Sequence, residues 1–137
     1  MDLAKEAKIS LVMVPLAAGV SDVATSNVDM SGYRAVTFIL VIAAQDAAAT
    51  VELKLSEQDG VNPAVDIPGA VAISPANSDN KLLVVEVRNR ALKLISGLVT
   101  RGGTGNTATG GVIAILHDGR LTPAEVDATH AAAPVSV

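Results

Sequence analysis

A chain of 137 residues, half of them apolar, is long enough for one domain with a sizeable core, yet one Phe, one Tyr and no Trp leave that core to Val, Leu, Ile and Ala. Fourteen acids and ten bases are scattered singly to a net charge of −4, so no basic stripe marks a nucleic-acid partner. The absence of cysteine excludes disulfide staples, thiol chemistry and zinc sites built on thiolates.

Residues 1 to 8 mix acids and bases and lack the apolar run of a signal peptide. Ile9 to Val14 reads as a first strand, stopped by Pro15. Residues 16 to 32 are poor in pattern and hold at most one short strand. Asp29 to Tyr33 forms a turn into the strongest strand, Arg34 to Ile42, whose nearly continuous apolar run predicts a central strand buried on both faces. The longest apolar stretch, Ala35 to Ala44, is about half the roughly twenty residues of a membrane-spanning helix. A soluble protein made in the cytoplasm, without a membrane partner, is expected.

Asp46 to Ala48 turns the chain into Val51–Glu57, where Val51, Leu53 and Leu55 alternate with Glu52, Lys54 and Ser56, the period of a strand with one wet face. Asp59-Gly60 and Asn62-Pro63 make a loop. Pro63, Pro68 and Pro75 limit residues 63 to 75 to short edge pieces, because proline donates nothing to a ladder. After the turn Asn77–Asn80, Leu83, Val85 and Val87 alternate with Val84, Glu86 and Arg88. Leu92 to Arg101 is patterned as a strand, and Gly102 to Asn106 is expected to close a hairpin with Thr107 to Leu116.

Six strong strands and one or two weak ones at short spacing predict an all-β, single-domain antiparallel β-sandwich, jelly-roll-like, over residues 9 to 120. A short N-terminal segment, 1 to 8, precedes it. A low-complexity tail, 121 to 137, with Thr122-Pro123 and Ala131-Ala132-Ala133-Pro134, follows it. A purely aliphatic core also predicts that more surface is buried by association with further copies.

Four places invite chemistry. His117-Asp118 has the residue types of an acid–base pair, but reads better as a polar strand end before an Asp-Gly turn; His130 lies in the tail. No Gly-x-Ser-x-Gly elbow accompanies them. Glu57, Asp59, Asn62 and Asp66 are the densest oxygen set and could be imagined around calcium, though their spacing misses the EF-hand loop. Gly102 to Gly111 lacks the Gly-Lys-[Ser/Thr] ending and the following helix of a phosphate cradle. No catalytic, cofactor or metal residue is therefore assigned, and the chain is expected not to be an enzyme.

The layout resembles that of small bacteriophage head proteins. The resemblance rests on Asp29-Met30-Ser31-Gly32-Tyr33 before the strand Arg34–Ile42, Leu53 to Gly60, Asp66-Ile67-Pro68-Gly69-Ala70, the segment Val84–Leu116, and Arg120-Leu121-Thr122-Pro123. The chain departs from it in carrying aliphatic residues where such proteins have aromatic ones around the acidic turn. The resemblance implies a capsid decoration (cement) protein on the virion head surface, a homotrimer bound to the major capsid protein, with residues 1 to 8 as the favoured reaching arm. A tail or head–tail connector component, or a sugar-binding β-sandwich, are the alternatives.

Overall fold

The computed structural model describes residues 6–119; the tail, His130 and most of the N-terminal segment lie outside them. The described residues form ten strands: β1 (Lys8–Met13), β2 (Leu16–Gly19), β3 (Val23–Ala24), β4 (Val28–Asp29), β5 (Ala35–Gln45), β6 (Ala49–Gln58), β7 (Val65–Ile73), β8 (Lys81–Arg88), β9 (Leu94–Gly103) and β10 (Thr107–His117). They make two five-stranded antiparallel sheets. The first runs β1-β10-β5-β8 with β2 also on β10; the second runs β3-β9-β6-β7 with β4 also on β9.

The pairing is nested. The first strand pairs with the last, β3 and β4 with β9, β5 with β8, and β6 with β7. This is the double Greek key of a jelly roll, the topology in which a long antiparallel ribbon is folded over on itself. Val36, Phe38, Leu40 and Ile42 of the first sheet and Val51, Leu53, Leu55, Ile95 and Val99 of the second have no exposed surface. They belong to one core cluster, completed by Val112, Ala114 and Leu116.

The structure corrects four expectations. Residues 16 to 32 hold three short strand pieces, because partners on β9 and β10 supply pairing that local pattern does not announce. Residues 65–73 form one nine-residue strand at the edge of the second sheet. It tolerates Pro68 because the register slips there: Lys54 pairs with Val71 and Ser56 with Asp66, leaving Ile67 to Ala70 as a bulge opposite Leu55. Gly69 takes up the bend at φ 78°.

The glycine loop closes no hairpin. β9 and β10 lie in different sheets, so Gly102–Asn106 carries the chain across the end of the sandwich. There it is stitched to the other crossing, Asp46–Ala48, by Thr104 N donating to Ala48 O (3.1 Å), Asp46 N to Asn106 O (3.0 Å) and Asn106 N to Asp46 Oδ2 (2.8 Å). A side chain at Gly103 would stand 2.2 Å from the Ala48 carbonyl, and Gly103 sits at φ 80°, so this position needs glycine.

The fourth correction concerns β5. It is flanked by β10 and β8 as a central strand, but among the described residues only one of its faces is fully buried: Phe38, Leu40 and Ile42 are buried, while Val41 is exposed and Thr37 and Ile39 are half-buried.

Candidate assembly surface

The uncovered side of β5 belongs to a larger surface. Register places Leu11 beside Ile113, Ile113 beside Ile39, and Ile39 beside Val84, one aliphatic side chain per strand across the whole first sheet. The row below adds Val41 beside Leu82, and the row above Ile9 beside Ile115. Side chains alternate along a strand, so these rows face away from the core that Phe38 and Val85 enter. Leu82 is 58% and Val84 52% exposed; Leu11, Val41 and Ile113 each keep more than a third of their surface in water.

Gly110 and Gly111 lie under this row. A β-carbon at Gly110 would stand 2.9 Å from Cβ of Val41, and one at Gly111 2.8 Å from Cδ1 of Leu11 and 2.6 Å from the Met13 carbonyl. The bare backbone there leaves room for Val41 and Leu11 beside the β10 irregularity between Thr109 and Val112. The opposite face of the sandwich is mixed: Ser56 pairs with Ser96, Glu52 with Thr100 and Ile73, and Lys54 with Leu98 and Val71. The first sheet therefore carries the larger aliphatic outer surface, and the second alternates polar with apolar side chains.

The aliphatic face ends in a charged border. Thr37 Oγ1 donates to Glu86 Oε1 (3.0 Å), and His117 Nε2 lies 3.1 Å from both Thr37 Oγ1 and Glu86 Oε1. Arg88 reaches Glu86 Oε2 through Nε (3.4 Å) and pairs with Asp118 through Nη1. The Thr37 hydroxyl, with the nearby Arg88, holds the Glu86 carboxyl below its ordinary range, and Arg88 does the same for Asp118. His117 is the last residue of β10, and Asp118 follows at φ 55°, the strand end and turn expected of them. Hydroxyl and carboxylate share one imidazole nitrogen, whereas nucleophile activation needs the base between them; Asp118 is 3.9 Å from Nδ1. The group reads as an ion-pair border.

The oxygen set of the acidic loop does not converge. Glu57 is buried in a two-point fork with Arg90, Oε2 to Nε at 3.1 Å and Oε1 to Nη2 at 3.0 Å, which lowers its pKa. Asp59 caps its own loop, accepting from the backbone of Val61 and Asn62 (2.8 Å each) and from Asn62 Nδ2, and is held at about 2. Asp66 pairs with Lys54 at 2.6 Å. Among the described residues no group of three His, Asp or Glu could hold a metal ion.

Two buried polar anchors escaped the sequence reading. Arg101 is 6% exposed and donates to the carbonyls of Ala17 (2.7 Å), Ser21 (3.0 Å) and Thr107 (2.9 Å) and to Ser21 Oγ, pinning the weakly patterned N-terminal pieces onto β9. Gln45 is satisfied by Ala49 O, Ser74 Oγ and Ser78 N, tying β5 to β6 and to the turn before β8. The only hint in the sequence is a charged or amide residue at a position whose strand period points inward.

No family model matches the chain, and no curated protein matches it in sequence. Solved structures do match in fold. The SPBc2 prophage-derived protein YomS superposes with a TM-score of 0.51 at 13% identity, over 80% of this chain and 93% of that one. The PBSX exported protein XepA gives 0.60 at 15% identity, covering all of this chain but 44% of its own. A chain of infectious bursal disease virus, Gx strain, gives 0.51 at 10% identity, over 85% of this chain and 34% of the other. At these identities the likeness is one of fold: the chain shares its sandwich with a whole prophage-derived protein and with parts of two longer chains.

Proposed function

We propose that the chain is a structural, non-enzymatic protein of a bacteriophage virion, and specifically a decoration protein bound to the outer surface of the head. In this reading it forms homotrimers that contact the major capsid protein and tie neighbouring capsomers together. The observation that carries the reading is the aliphatic outer face of the first sheet, a surface suited to assembly, on a domain whose own core is already closed. A prophage-derived protein and a virus chain with the same fold support it. Binding only to the expanded shell would stabilise that state by mass action against the pressure of packaged DNA.

Co-sedimentation with purified expanded heads tests the reading. Saturable binding to heads, absent with unexpanded shells, is the expected result. Binding to isolated tails or connectors and not to heads would move the protein to that part of the virion.

A further inference from the structure

A second apolar patch lies on a different side of the molecule. On the edge strand β7, Val71 (43%) and Ile73 (61%) are exposed on the outer side of the second sheet, in register with Lys54 and Glu52. The Pro68-Gly69 bulge interrupts the ladder in the middle of this edge, so a further strand cannot simply add to it. It can still pack through its side chains. We infer that in the assembled protein the β7 edge of one copy packs on the aliphatic face of β1, β10, β5 and β8 of a second copy, a face-to-edge contact repeated around a closed ring. This deepens the reading of a self-assembling virion protein and rests on it.

Three observations favour a second copy of this chain as the occupant. The first is size. Leu11, Val41, Leu82, Val84 and Ile113 expose on the order of 400 Å² together, about half of the ~800 Å² that each partner contributes to a standard interface, and an apolar centre of that share is usual. The second is charge. Beside each patch stands an ion pair already closed within the subunit, Lys54 with Asp66 near the edge and Arg88 with Asp118 near the face, which the contact need not break. The third is that the patches are not equivalent. A face meeting an edge is a heterologous contact, which uses both patches of every copy and closes into a ring when the rotation allows it.

Two exposed-site variants test the contact: Val84→Asp on the face and Ile73→Asp on the edge, each checked for an unchanged circular dichroism spectrum and melting curve. Light scattering over a range of concentrations should give a trimer for the parent chain and a threefold lower mass for either variant alone. An equimolar mixture should recover a 1:1 pair and grow no further, since one intact face and one intact edge remain between the two. A parent chain that stays monomeric, or an Ile73→Asp variant that keeps the parent mass, overturns the contact. Head binding is measured separately: a monomer that still coats heads removes the contact and leaves the virion reading, whereas a ring that binds no virion part does the reverse.

Discussion

Gly110 lies directly beneath Val41, with only 2.9 Å between the Val41 β-carbon and the place where a β-carbon on Gly110 would stand. Both atoms would be fixed to backbone, so neither can swing away. Gly110→Ala should therefore cost about 1–3 kcal/mol by overpacking, read as a lowered denaturant midpoint with an unchanged slope. Gly102→Ala meets only the Thr50 hydroxyl at 3.2 Å and should cost clearly less. Equal effects would show that the aliphatic face does not depend on a bare backbone at β10.

Arg101 holds residues 17 to 21 by hydrogen bonds rather than by strand pairing alone. Arg101→Met keeps much of the volume but leaves the carbonyls of Ala17, Ser21 and Thr107 unpaired. A loss of about 3 kcal/mol is expected, together with faster amide exchange in β2 and β3 than in β5 or β6.

Gln45→Leu should destabilise by about 2 kcal/mol, because the buried Ser78 amide loses its acceptor and the Ser74 hydroxyl keeps only the Val51 amide of its two donors. Adding Ser74→Ala should cost less than the sum of the two single changes, since both residues serve one network.

Acid should act through several carboxylates at once. Asp29, Glu57, Asp59, Glu86 and Asp118 all have depressed pKa values in the folded chain, through Ser31, Arg90, the Asn62 and Val61 amides, Thr37 and Arg88 respectively. A depressed carboxylate stabilises the fold above its unfolded pKa and loses that contribution as pH falls through the folded value. Melting temperature should be flat above about pH 5 and fall below it. The part due to Asp59 should vanish between its ordinary 3.8 and about 2. Asp59→Asn should flatten the lowest part of that curve.

Calcium should leave the protein unmoved. Glu57, Asp59 and Asp66 each hold a separate partner. Melting curves with millimolar calcium and with chelator are expected to superpose, and a calcium-dependent rise would show that the loop between β6 and β7 rearranges to bind the ion.

Much of the sandwich was legible because strands with one wet face carry their period openly: Val51, Leu53 and Leu55 point inward in the structure as their alternation with Glu52 and Lys54 predicts. The nearly unbroken apolar run of β5 was misleading. A continuous run says that both faces avoid water, and cannot say whether the second face is covered by the same chain or by another. The Glu57–Asp66 loop looked like a ligand set for a related reason: composition places carboxylates near each other in sequence, but Arg90 and Lys54 reach them from other strands.

By itself the sequence determined the class of the fold, its aliphatic core and most of its strands, because these depend on local period and residue type. The tertiary structure decided the rest: the nested jelly-roll pairing, the crossing made by the glycine loop, the burial of Arg101 and Gln45, and the row of aliphatic side chains across the outside of the first sheet. Each of these arises from pairing between residues far apart in the chain, and strand periodicity carries no record of which partner a strand will meet.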